Sequence, residues 1–187
     1  MCTLCHSIVL PQPREPAIAL HTFSVPGFPA LKGRRIRLRR PVPEDAAAVF
    51  ALFADPGTMR HWPRAPMRSI DEAAGYIAEC AGHFDGGARI DWVIALPNAE
   101  GECVGTCTLY DIEAGNAASI GYALSPAHRG RGLATDAVET ATAWALRTLA
   151  LERIDATVDP ENVASQRLLA RVGFTRAAED RYCLLAR

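Results

Sequence analysis

The stretch "IGYALSPAHRGRGLATDAVETA", Ile120 to Ala141, places two glycines and two arginines, Arg129 to Gly132, between an apolar run and an alanine-rich segment. Leu133, Ala137, Val138, Ala141, Trp144, Ala145 and Leu149 recur at helical spacing, so the order reads as strand, glycine-rich turn, helix. The first N–H groups of a helix lack intrahelical acceptors and lie at the positive end of its dipole. Gly130 and Gly132 allow the backbone to approach an anion closely, and Arg129 or Arg131 adds charge. The junction predicts a site for a phosphate-bearing ligand.

On the N-terminal side, "RIDWVIAL", "CVGTCTLYDI" and "AASIGYAL" are β-like runs separated by the turn-rich "PNAEGE" and "EAGN", which predicts antiparallel hairpins. Further upstream, Ile36 and Leu38 alternate with arginines as in a half-buried strand, and Pro43 opens a helix with Ala46, Val49, Phe50 and Phe53 on one face. "DPG" at Asp55 ends that helix. Ser69 and Glu72 have capping-box spacing ahead of a stripe of Ile70, Ala73, Ala74, Ile77, Cys80 and Ala81. On the C-terminal side, "RIDATV" reads as a strand, Asn162 as the cap of a short helix closed by Gly173, and "FTRA" with "RYCLLA" as a strand pair. Residues 1–30 carry five prolines and no periodicity, and are expected to form an irregular or disordered extension to a single domain over 31–187.

A chain of 187 residues that is 49% apolar can bury a proper core, and a net charge of -1 offers no general attraction to nucleic acid or anionic membrane. No apolar run reaches the roughly eighteen residues of a membrane helix. Neither nucleic acid nor membrane is an expected partner. Six cysteines in a chain this large, without a secretory signal ahead of them, read as reduced thiols of a cytoplasmic protein. "CTLCH" at Cys2 fits a haem-attachment spacing but lacks the export context which that chemistry requires. Cys103 and Cys107, four apart on a predicted strand, are expected to share a face as buried small side chains, with no metal.

Three phosphate ligands compete for the glycine loop. A Walker A loop needs Gly-Lys-Ser/Thr, and the only lysine is Lys32. A dinucleotide fingerprint needs a third glycine where Thr135 stands, within a parallel unit rather than a meander. The third ligand is coenzyme A. Arg129-Gly130-Arg131-Gly132-Leu133-Ala134 resembles the Q/R-x-x-G-x-G/A signature of the GNAT acetyltransferase superfamily, and "NVASQRLLARVGF", Asn162 to Phe174, resembles its second active-site segment. With "RRIRLRRPVPEDA" and "MRHWP", the resemblance to the RimJ/RimL-like branch runs from about Leu31 to the C-terminus.

That resemblance implies an α/β (α+β) fold: a mixed, mostly antiparallel twisted sheet of about seven strands, helices on both faces, splayed where the coenzyme enters. It implies acetyl-CoA as cosubstrate, an amine acceptor, and a monomer or homodimer. Coenzyme contacts are implied for Ala123, Leu124, Arg129, Gly130, Arg131, Gly132, Ala134, Thr135, Asn162 and Ser165, with the backbone of Tyr122 to Leu124 facing the thioester. Ser165 and Tyr122 are the candidate catalytic side chains. Family members often carry a tyrosine acid where this chain has Leu169, so Ser165 is the candidate to protonate the leaving thiolate, unless its hydroxyl only caps the helix. Where the branch often has Glu, this chain has Ser119. Asp91, Asp111, Glu113, His61 and Tyr122 remain as substitutes for the base, each otherwise a solvated turn or rim residue, and Trp62 reads as core.

At pH 7 roughly 10 to 20% of an α-amine is neutral, against about one lysine amine in a few thousand, which favours an α-amine acceptor. The expected activity is N-acetylation by direct attack in a ternary complex, without a metal. The alternative is a coenzyme A or acyl-CoA binding module with little catalysis.

Overall fold

The arginine-rich alternation forms two short strands, β1 (Leu31–Lys32) at the sheet edge and β2 (Arg37–Arg39) beside it, with Ile36 and Leu38 fully buried. The computed structural model describes residues 23, 25–97, 101–113 and 116–186, so "CTLCH" lies outside the described residues. Phe23 and Phe28, in the stretch expected to be irregular, pack against Phe84 at centroid distances of 5.8 and 5.0 Å, and Pro29 accepts a hydrogen bond from the Trp92 indole.

Pro43 opens a 3-10 turn, Pro43–Asp45, and α1 (Ala46–Ala54) begins only after it. Asp45 is held by both guanidinium nitrogens of Arg39 at 2.7 Å. The break expected at Asp55 is also a start: its carboxylate accepts from the Thr58 N–H and hydroxyl at 2.7 Å and caps α2 (Pro56–Met59). In α3 (Ile70–Asp85), Ser69 accepts from the Glu72 N–H as its spacing requires. Its buried stripe is narrower than expected, Ala73, Ile77 and Cys80, because Ile70 lies in the first turn and is half exposed.

The sheet consists of β3 (Ile90–Ala95), β4 (Cys103–Glu113), β5 (Ala117–Leu124), β6 (Arg153–Thr157), β7 (Thr175–Arg176) and β8 (Arg181–Leu185) together with β1 and β2, in the order β1-β2-β3-β4-β5-β6-β8-β7. Eight strands stand where about seven were expected, and every pairing except β5/β6 is antiparallel. One face is covered by α4 (Leu133–Thr148), with Trp144 edge-on to Trp92 at 5.8 Å, and the other by α1 and α3. Between β6 and β7 lies α5 (Val163–Val172), which packs on α4.

Two irregularities matter. β4 pairs Ala95 with Cys103 but Ile94 with Gly105, so Val104 is an extra residue. Cys107 therefore faces the Trp92 cluster and Cys103 the α1/α3 cluster; they do not share a face. Their strand periodicity is broken by the bulge. The second irregularity is the splay. β5 stays paired with β4 to Leu124 and β6 with β8 to Thr157, while β5 and β6 part beyond Ser119/Asp155.

The turn after β1 is pinned to the first turn of α4, where buried Asp136 accepts from the N–H groups of Arg34 and Arg35 at 3.1 and 2.6 Å. An Asp136→Ala protein leaves two donors without a partner and is expected to lose about 2 kcal/mol, read as a lower urea midpoint at unchanged m.

Candidate active site

Gly132 is the N-cap of α4 at φ 74°, and Gly130 lies at φ 72°. L side chains rarely adopt this left-handed conformation, so the loop requires glycine at both positions. A Cβ on Gly130 would meet nothing within 4 Å, so the missing side chain clears space outside the protein surface rather than inside it. Such a cradle leaves the N–H groups of Leu133, Ala134 and Thr135 open toward an anion.

The two arginines of the loop divide their roles. Arg129 is exposed along its length but turns its guanidinium onto the protein: its Nε donates to the Leu124 carbonyl at 3.1 Å and its terminal nitrogen to the Thr58 hydroxyl at 2.7 Å. It braces the end of β5 against α2. Arg131 is exposed, and its carbonyl accepts from Arg35 at 3.0 Å. Arg34, Arg35 and Arg171 line a cavity of 280 Å³ with Gly132, Thr135 and Asp136. Sequence reading missed this cationic frame, because Arg34 and Arg35 look like the exposed half of a strand and lie about a hundred positions from the loop.

Where β5 and β6 part, the Tyr122 hydroxyl lies 2.5 Å from Ser165 Oγ. Asn162 Oδ1 accepts from the Ser165 N–H at 3.1 Å and is itself the cap of α5. The Ser165 hydroxyl is thus free of capping duty and is paired with Tyr122. Burial, the largest cause, pushes the Tyr122 phenol up to about 12, with the Ser165 hydrogen bond partly opposing it. Leu169 is fully buried in the core. No phenol other than Tyr122 bonds to Ser165 among the described residues.

The residues considered for the base separate clearly. Asp91 is 2% exposed and accepts from Arg89 at 2.9 and 2.7 Å and from Thr108 at 2.8 Å, so it is a buried network residue and not a solvated rim residue. Asp111 and Glu113 are exposed at the far end of the β4–β5 hairpin, away from the splay. His61 Nδ1 lies 2.7 Å from Asp159 Oδ2, a pairing that leads the causes holding the Asp159 carboxyl below its ordinary value. Trp62 is edge-on to Phe53 at 5.6 Å, a core contact as expected. Burial pushes the Cys103 and Cys107 thiols up to about 11 and 12, so both stay neutral. No group of metal-ligating side chains occurs among the described residues.

An acetyltransferase (GNAT) domain model matches residues 35–175. The uncharacterised N-acetyltransferase YoaA of Bacillus subtilis is 31% identical over 150 residues, covering 80% of this chain and 84% of YoaA. RimJ of Mycobacterium smegmatis, in complex with CoA-disulfide, superposes with a TM-score of 0.73 at 24% identity, covering 84% of this chain and 88% of that one. The microcin C7 self-immunity acetyltransferase MccE, with acetyl-CoA and AMP, gives 0.71 at 18% identity, covering 82% and 93%. The chain belongs to the GNAT acetyltransferase family, whose members are acyltransferases that use acetyl-CoA.

Proposed function

We propose that this protein transfers acetyl from acetyl-CoA to an α-amine, by direct attack within a ternary complex. The observation that carries the reading is the Tyr122–Ser165 pair at the point where β5 and β6 part, near the end of β5 that leads into the glycine loop. The Gly130–Thr135 backbone and the Arg34/Arg35/Arg171 frame would hold the phosphates, and the strand end Tyr122–Leu124 with Asn162 would hold the arm between phosphates and sulfur. When bound, the coenzyme supplies the activated acetyl group. Ser165 donates a proton to the departing sulfur and takes one from Tyr122, whose phenol is protonated at neutral pH, and the surplus N–H proton of the acceptor then restores Tyr122. An α-amine is the fitting acceptor, because about a tenth or more of it is already neutral at pH 7.

Free-thiol release is measured with acetyl-CoA and a panel of α-amine peptides, lysine peptides and small amines. Turnover is expected on α-amines, with kcat about 10²-fold lower in Ser165→Ala and coenzyme affinity little changed. Preference for lysine at neutral pH would overturn the acceptor assignment. Coenzyme binding without turnover would point to a binding module.

A further inference from the structure

Ser119 leaves the acceptor face without an ionisable group at the family's frequent carboxylate position, yet a dyad stands across the same opening. His61 follows α2, whose Thr58 is tied to Arg129 of the coenzyme loop and whose Met59 packs in the cluster that contains Ala123 of β5. Asp159 follows β6, and its carbonyl accepts from the Asn162 N–H in the turn that leads to Ser165. The hydrogen bond between His61 and Asp159 therefore joins the two sides of the splay.

A mechanical tie would not need an imidazole. The neighbouring Arg60–Glu161 pair, 3.4 Å apart and exposed, already joins the same two segments. His61 differs in having one nitrogen engaged and one idle. Nδ1 is held by a carboxylate, which fixes ring orientation and tautomer, while Nε2 has no hydrogen-bond partner among the described residues and is not enclosed, the ring being 19% exposed. The charged groups about it are Asp159, Arg60 and Glu161.

We propose that His61 Nε2 is the base of the transferase reaction and that Asp159 is its positioning residue. The inference rests on the transferase reading above. In the step, an N–H bond of the acceptor ammonium breaks and its proton passes to Nε2. The freed electron pair forms the new C–N bond at the acetyl carbonyl, the C–S bond breaks and the sulfur takes a proton from Ser165; the second N–H proton of the adduct passes to the Ser165–Tyr122 pair, which is restored as the neutral amide leaves. An ordinary imidazole titrates about one unit below an α-amine but about four below a lysine amine, so the pairing suits the acceptor class proposed.

The test is the pH dependence of kcat/KM for thiol release with an α-amine peptide, alongside coenzyme affinity by calorimetry. His61→Gln is expected to lower kcat about 10²- to 10³-fold, with coenzyme affinity little changed, and to leave only the amine's own ionisation in the acidic limb. In His61→Ala, added imidazole restores part of the rate. Asp159→Asn costs about tenfold and moves the limb to lower pH, since loss of the carboxylate disfavours the imidazolium. A His61→Gln protein with wild-type rate and an unchanged limb overturns the base assignment alone, as does one that loses coenzyme binding in proportion to rate and gains nothing from imidazole. A wild-type protein inactive on every amine overturns the transferase reading, and this inference with it.

Discussion

Replacing Gly105 with alanine is expected to lower the melting temperature by about 10 °C and to weaken coenzyme binding at the same time, although residue 105 touches no proposed coenzyme contact through a side chain. A Cβ at this position would lie 2.3 Å from the Ala123 carbonyl oxygen and 3.1 Å from Leu124 Cα. Both obstacles are backbone, so no rotamer change can relieve them. Overpacking usually costs about 1–3 kcal/mol, and a clash with two backbone atoms belongs at the upper end of that range. Relief requires β5 to move away from β4 at Ala123–Leu124, the last paired position before the glycine loop. The same carbonyl row is braced by Arg129 at Leu124. Gly75→Ala, in open space on α3, is the control and should be stabilising by about 0.5–1 kcal/mol. Thermal unfolding and coenzyme titration of the two variants check both halves; an unshifted Gly105→Ala protein would show that β5 yields there freely.

Removing Asp91 should be comparably costly. An Asp91→Ala protein is expected to lose about 3 kcal/mol, the lower end for breaking a buried pair, because the Arg89 side chain left without its partner is 32% exposed. Four donor atoms lose their acceptor: two of Arg89, the Thr108 hydroxyl and, at 3.4 Å, the Tyr76 hydroxyl. Burial opposes the Arg89 charge, and Asp91 more than offsets this, holding the guanidinium above its ordinary value. Without Asp91 that balance reverses. Denaturant unfolding gives the magnitude, and Asp91→Asn, which keeps an acceptor but no charge, should fall between the two. A loss under about 1 kcal/mol in Asp91→Ala would mean that Arg89 escapes to solvent instead.

The elements themselves were readable from local chemistry. The α4 stripe from Leu133 to Leu149, the Ser69 and Asn162 caps, the Gly173 stop and the hairpins of β3 to β5 all depend on residues a few positions apart. Helical periodicity and capping are properties of short segments, and they survived folding with small changes, such as the 3-10 turn at Pro43 and the short helix capped by Asp55. The glycine loop was readable for the same reason, since left-handed backbone restricts the residue type locally.

What lay beyond local pattern was decided by register and strand order. One extra residue at Val104 sends Cys103 and Cys107 to opposite faces, and nothing in their spacing announces it. Asp91 looks like any strand-end carboxylate until β3 places it beside Thr108 and Arg89. Tyr122 and Ser165, 43 positions apart, and His61 and Asp159, 98 apart, meet because β5 and β6 are parallel neighbours that part beyond Ser119. The sequence by itself determined the elements, the left-handed glycine turn and the family, all carried by short-range constraints on backbone and periodicity. Only the tertiary structure decided which hydroxyls, carboxylates and imidazole share the opening, because those contacts are closed by a non-local strand pairing whose end point no short segment encodes.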